Sequence, residues 1–195
     1  AILRHMPDII GFQEVAPHML RWLQESLPEY TVVGCGREAD LGGEHMVAAF
    51  RRDRFDLLGL TSFWLSPTPD IPGTRYEEQS MCPRLCCHSL VRDARTGQVF
   101  SVYVTHLDHI SPLARALGLG EVYRQIKGDL ERNPMPVILM GDFNDTPDQL
   151  QLEPLAAEAG LSLTDATKGV GGTFHDYGRE KELDQIDYIM VSKEF

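Results

Sequence analysis

The stretch "VILMGDFND", Val137 to Asp145, runs an apolar segment straight into Gly-Asp-Phe-Asn-Asp. Asp142 and Asn144 are two residues apart, so in an extended chain they share one side. A carboxylate beside an amide offers a base and a hydrogen-bond donor to one small volume. That suits holding a water against a phosphate; a plain Asx turn explains the same tetrapeptide. Other apolar runs stop in the same manner. "DIIGFQE" ends on Glu14, on the strand face of Ile10 and Phe12. An apolar face ending in a carboxylate needs a partner such as a cation, unless the glutamate caps the next helix. "VFSVYVTHLD" ends on His106 and Asp108, with His106 following Val102 and Val104 on one face. A satisfied core histidine is the plainer reading of it. Glu44 is the candidate orienting partner, because a carboxylate fixes the tautomer and raises the imidazole pKa. Asp187 interrupts "QIDYIMV", and a buried aspartate there must be paired. His175 in "GTFHDYG" is a candidate substrate contact. The "RRDR" turn at Arg51, Arg52 and Arg54 reads as solvated surface.

These residues need rigid elements behind them, since function concentrates on loops held at strand ends. A strand is expected from Asp8 to Glu14. A helix follows, with Met19, Leu20, Leu23 and Leu27 at helical spacing and Pro28 stopping it. "YTVVG" is a strand and "CGREADLGGE" a polar loop. "EHMVAAFRR" and "FDLLGLTSFWL" are strands around "RRDR". "SPTPDIPGTRYEEQS" is a long loop. "RLCCHSLVRD" and "QVFSVYVTHLDH" form a hairpin joined by "ARTG". Ser111 caps a helix to about Arg132, with Pro112 at a tolerated first-turn position. "MPVILMGDFN" is the next strand. "TPDQLQLEPLAAEAG" is a helix broken or kinked at its proline and closed by Gly160. "TDATKGVGGTFHDYGREKEL" is mostly loop, and "DQIDYIMVS" is the last strand. Strands with helices between them, and hairpins besides, favour two packed sheets with outer helices.

The bulk numbers narrow the function classes. The 195 residues suit one domain with a sizeable core. No run approaches the roughly 18 apolar residues of a membrane span. The net charge of -11, from 29 acidic and 18 basic residues, disfavours a grip on long duplex nucleic acid. Cys35, Cys82, Cys86 and Cys87 contain no C-x-x-C pair, and adjacent Cys86 and Cys87 point to opposite faces of a strand. Free thiols in a reducing cytoplasm are expected. There is no phosphate-binding P-loop, dinucleotide fingerprint, nucleophile elbow or zinc spacing. The chain starts at Ala1 within an amphipathic segment and stops soon after a strand, so it reads as a stretch of a longer protein.

Together "PDIIGFQEV", "GEHMVAAFRRDRF", "FWLSPTP", "VTHLDH", "VILMGDFND" and "IDYIMVS" resemble the endonuclease/exonuclease/phosphatase superfamily, in its order and over nearly the whole chain. The nearest resemblance is to a bacterial branch carrying "FWLS-TP" and "THLDH". The resemblance implies an α+β, DNase-I-like, four-layer α/β/β/α sandwich of two packed mixed sheets. Residues 1–195 would be one domain of it, incomplete at both termini. It implies that Glu14 binds Mg2+, that Glu44 hydrogen-bonds His106, and that His106 contacts the scissile phosphate. Asp142 would orient or deprotonate the attacking water, and Asn144 would hold water and phosphate oxygens. Asp187 would orient a second histidine. Arg84 would lie near the phosphate, and Asp108 and His109 belong to the branch pattern without separate roles.

The chemistry agrees with that assignment. Adding water to a phosphoester needs charge neutralisation by a metal, a positioned water, and a donor where negative charge builds. Oxygen ligands favour Mg2+ or Mn2+ over zinc. The family's opening strand ending in asparagine and its closing "S-D-H" are not in the sequence. The isolated stretch is therefore expected to be weak or inactive, with a phosphohydrolase as its parent protein. The acidic balance favours a small phosphoester over nucleic acid, acting as a monomer. Alternatives are a nuclease or deadenylase-like enzyme, and a non-catalytic binding module of the same fold.

Overall fold

The computed structural model describes residues 2–179 and 183–194. Residues 1, 180–182 and 195, which include the first residue of the amphipathic start and three of the long final loop, lie outside the described residues. The chain runs α1 (Ile2–His5), β1 (Ile9–Val15), α2 (Pro17–Ser26), β2 (Tyr30–Gly36), β3 (His45–Arg51), β4 (Phe55–Trp64), β5 (Leu85–Asp93), β6 (Val99–His106), α3 (Pro112–Arg132), β7 (Val137–Asp142), α4 (Pro147–Leu150), α5 (Leu152–Glu158), β8 (Leu163–Asp165) and β9 (Asp187–Ser192).

Two sheets result. One is antiparallel, in the order β1-β3-β2; the other is mixed, in the order β4-β5-β6-β7-β9-β8. The parallel β6–β7 pair is joined through α3, as a parallel connection needs a long crossover. Phe50, Val91, Phe100, Val102, Val104 and Met140 fill the space between the sheets. Leu23 of α2 and Leu27, which caps it, pack on the outer face of the small sheet. Leu119, Val122, Tyr123 and Ile126 of α3, with Ala156 of α5, cover the outer face of the large one. The layers are therefore helix, sheet, sheet, helix: the expected sandwich, with its small sheet antiparallel rather than mixed.

The alternation along β6 explains the arrangement. Phe100, Val102 and Val104 face the second sheet, while Tyr103 faces α3. His106 continues the inward parity to the strand's end. Ser111 accepts from the Ala114 amide at 3.1 Å and Pro112 opens α3, as expected. Cys86 and Cys87 pack in different clusters, on opposite faces of β5. Among the described residues all four cysteines are free, and no helix is long and apolar enough to cross a membrane.

The two strands expected around "RRDR" form, and β3 and β4 belong to different sheets. Several elements differ from expectation. The helix after "GDFND" breaks at Gln151, whose φ of 46° is left-handed, and not at Pro154. Pro154 lies in the first turn of α5, where its missing N–H is harmless. A short β8, read as loop, pairs with β9. Asp187 opens β9 instead of interrupting it.

Candidate active site

The strand ends named above converge. β1, β2, β6 and β7 finish at one edge of the sandwich, where β3 and β5 begin. Glu14, Arg37, Glu44, Cys82, Arg84, His106, His109 and Asn144 line a cleft of 280 Å³ there. Each sits at a strand terminus or in the adjoining loop.

Asp142 and His106 are register partners across the parallel ladder, with His106 Nε2 3.6 Å from Asp142 Oδ2. Gly141, just before the aspartate, permits this approach. Its φ is 155°, and a Cβ there would meet the Thr105 carbonyl oxygen at 1.9 Å. The two strands can close only over glycine. Asp142 Oδ1 accepts from the Asn144 amide at 2.9 Å, and Asn144 has a φ of 53°. The chain is thus not extended past Asp142, and the two side chains do not share a strand face. An Asx turn brings the Asn144 carboxamide back into the cleft, where its Nδ2 donates to the Leu107 carbonyl at 3.0 Å. The turn reading of the tetrapeptide holds, and that turn is what brings Asn144 to the cleft.

Glu14 is also placed by an irregularity. β1 pairs Phe12 with Val47 but Val15 with His45, so one extra residue is bulged out. Glu14 has a φ of 57° in that bulge and is exposed at the cleft. The expected face shared with Ile10 and Phe12 is broken by the bulge, which re-aims the carboxylate.

Electrostatics follow from burial. Burial pushes the Asp142 carboxyl up to about 6; the Asn144 amide and Arg84 oppose this, and the Asp187 and Glu14 carboxylates reinforce it. His106 is 3% exposed, and burial, with Arg84, Arg37 and His109 nearby, brings it down to about 3. It is a neutral imidazole at pH 7. Its Nδ1 is buried without a hydrogen-bond partner. The Glu44–His106 hydrogen bond expected from the sequence does not form. Glu44 instead accepts from Arg37, the cation at the mouth of its own loop.

Asp108 is not a cleft group. It is 2% exposed and accepts from the Ser80 hydroxyl and from the amides of Ser80 (3.1 Å), Ile110 (3.1 Å) and Ser111 (2.8 Å). Burial raises its pKa, but these bonds outweigh burial and hold it below the ordinary carboxylate value. Asp145 accepts from the Thr146 amide at 3.1 Å, and Arg115 donates to it at 2.8 Å. Arg115 also donates to the Asp108 carbonyl at 3.1 Å, so α3 braces the loops after both β6 and β7.

Two expected groups stand apart from the cleft. The Asp187 backbone is the register partner of Asp142, but its half-buried side chain lines a separate groove with Met140, Gly141 and Thr173. His175 is exposed and accepts from the Gly178 amide through Nδ1, closing a local turn. Arg37 was missed. It carries the same signature as Glu14 and His106, a polar residue directly after an apolar strand, "YTVVGCGR".

The donor set fits a hard cation. Among the described residues no three His, Cys, Asp or Glu side chains form a cage. Mg2+ characteristically takes one or two carboxylates and fills its other positions with water and substrate oxygens. Glu14, exposed beside Asn144, offers that arrangement.

A family model described as Endonuclease/Exonuclease/phosphatase family matches residues 1–195. An endonuclease/exonuclease/phosphatase from Bacteroides vulgatus is 31% identical, with a TM-score of 0.88 over 98% of this chain and 76% of that one. A mannosyl-6-phosphatase from Bacteroides thetaiotaomicron is 30% identical, with a TM-score of 0.89 over 98% of this chain and 73% of that one. The human nocturnin catalytic domain, at 22% identity, shares the fold with a TM-score of 0.74 over 98% of this chain and 70% of that one. No curated protein matches the chain significantly.

Proposed function

Given that the chain belongs to the endonuclease/exonuclease/phosphatase family, we propose that it carries the catalytic site of a Mg2+-dependent phosphoester hydrolase. The carrying observation is that Glu14, His106 and Asn144 line one cleft with a buried guanidinium, Arg84, while Asp142 Oδ2 stands 3.6 Å from His106 Nε2. The resemblance to a mannosyl-6-phosphatase supports a small phosphorylated substrate, as does the net charge of -11.

Glu14 would hold the metal, with Mn2+ as a possible substitute. When bound, the ion neutralises charge on the phosphoryl and leaving oxygens. Asp142 takes a proton from water as the water oxygen bonds to phosphorus and the ester P–O bond breaks. Its raised pKa, about 6, makes it a stronger base than an ordinary carboxylate while leaving it mostly ionised at pH 7. Asn144 orients that water with the part of its carboxamide not used on Leu107. Neutral His106 has one N–H to give. With Nδ1 buried and unpartnered, the Nε2–H tautomer donates to the charge that develops on the phosphoryl oxygens. Asp187 and His175 have supporting parts at most: Asp187 acts on Asp142 through charge, and His175 would reach a substrate only at its periphery.

The test uses the intact gene product that carries this stretch. Release of p-nitrophenol from p-nitrophenyl phosphate or its bis ester should require Mg2+ or Mn2+, stop with EDTA, and vanish in Asp142→Ala. A folded protein that binds metal but hydrolyses neither ester would sink the reading in favour of a binding module.

A further inference from the structure

Arg37 and Arg84 both line the cleft, and both have an Nε–H that is buried with no hydrogen-bond partner. Arg84 is 5% exposed, and among the described residues it has no carboxylate within ion-pair distance. Its Nη2 donates to His109 Nδ1 at 2.9 Å. A guanidinium stays charged even when buried, so an unpaired one is a standing electrostatic cost. Arg37 deepens that cost, since it repels Arg84 across the cleft. Arg37 itself is held by Glu44, with Glu38 3.5 Å from its Nε.

The chain spends several bonds to keep this like-charged pair together. The Trp64 indole donates to the Arg37 carbonyl at 2.7 Å. The next residue, Leu65, donates its amide to the Arg84 carbonyl at 2.8 Å. Two neighbours in "FWLS" thus pin the backbones of both arginines, one just after β2 of the small sheet and the other just before β5 of the large one. The Ser80 bonds to Asp108 fasten the loop that leads into Arg84 from the other side. Such effort makes sense if an anion with charge to spare occupies the space between the two.

We propose that Arg37 and Arg84 form a two-guanidinium clamp for the dianionic phosphoryl group of a phosphomonoester, and that the Trp64–Leu65 corner sets its spacing. The proposal rests on the phosphohydrolase reading and names its substrate class. A monoester near neutral pH carries close to two charges on three free oxygens, as its second pKa is about 6. A diester has one charge on two. Guanidinium forks match phosphoryl oxygens geometrically as well as in charge, so a second fork gains most on the dianion.

The experiment measures two things on the intact gene product and on Arg37→Gln, Arg84→Gln, Arg84→Lys and Trp64→Phe. One is inorganic phosphate binding by calorimetry in EDTA. The other is kcat/KM for p-nitrophenyl phosphate against bis-p-nitrophenyl phosphate with Mg2+. Each Gln variant should weaken phosphate binding by about tenfold, the loss expected for one charge-assisted bond. Monoester kcat/KM should fall about 100-fold, and diester kcat/KM by less than about fivefold. Trp64→Phe should shift the monoester-to-diester ratio in the same direction as Arg37→Gln, by a smaller factor. Should Arg84→Gln not fold, Arg84→Lys keeps the charge without the fork and must still lower the ratio. Parallel loss on both esters, or phosphate affinity unchanged by the arginine variants, overturns the clamp. Arginine-dependent phosphate binding without turnover of either ester keeps the clamp and removes the hydrolase reading.

Discussion

His106 and Asp142 end neighbouring parallel strands in exact register, and their side chains approach to 3.6 Å without forming a hydrogen bond. Each is thereby left for a third party. Asp142→Asn keeps the size and the Asx acceptor but removes the base, so kcat should drop by about 10²–10⁴ with KM little changed. His106→Gln keeps a donor at a shifted position and should cost about 10²–10³. Steady-state kinetics on either nitrophenyl ester checks both. If either variant raises KM alone, the residue binds substrate and takes no part in the chemistry.

Gly141 is the structural condition for that pair. A Cβ there meets the Thr105 carbonyl at 1.9 Å, from a φ of 155° that L residues rarely adopt. Gly141→Ala must push β7 away from β6 just where His106 and Asp142 lie. A stability loss of roughly 2–4 kcal/mol is expected, with kcat reduced as in the Asp142 variant. Urea titration and kinetics on the folded fraction separate the two effects. A variant of wild-type stability and rate would mean that the strands part freely.

How far the sequence carried can be judged from these same residues. His106 and Asp142 were legible because regular alternation ends on them, and alternation is a local signal. The four-layer order came from the family resemblance, in agreement with the succession of strands, helices and hairpins. Glu14 was found for its type, but its aim comes from a bulge against β3, and a bulge is a property of pairing between strands. Arg37 taking Glu44 away from His106 depends on how one loop closes over another. β8 is three residues long and exists only because β9 is beside it. Local pattern found the elements and the candidates; the partnerships were tertiary.

The pH dependence of stability in metal-free protein should expose His106 and Asp142 as opposing titrations. An unfolded histidine takes its proton near 6.5, but folded His106 does so at about 3. The stability this contributes is present above 6.5 and is lost as pH falls toward 3. Folded Asp142 takes a proton at about 6 against an ordinary value of 3.8, so the folded state gains as pH falls between those values. The two nearly cancel in the wild type. His106→Gln should gain on wild type by on the order of 2 kcal/mol between pH 7 and 5, and Asp142→Asn should lose ground over the same span. Urea midpoints at several pH values test this; curves that stay parallel to wild type would show that neither group titrates as its burial demands.

Asp108 is the last case, because the branch pattern carries it without a role of its own, and it ties together the loops beside the cleft. One oxygen takes both the Ser80 amide and hydroxyl; the other takes the amides of Ile110 and Ser111. An asparagine has only one acceptor oxygen, so its NH2 would face donors on one side or the other. Asp108→Asn should therefore cost roughly 2–4 kcal/mol, out of proportion to a change of one atom. The acid response fixes the mechanism. Asp108 is held below the ordinary carboxylate value, so its contribution is complete above about 3.9 and is lost as pH falls through its depressed folded pKa. The gap between wild type and Asp108→Asn in thermal midpoint should then be widest near neutrality and close in strong acid. A gap that persists unchanged at low pH would assign the loss to packing and not to the carboxylate's four bonds.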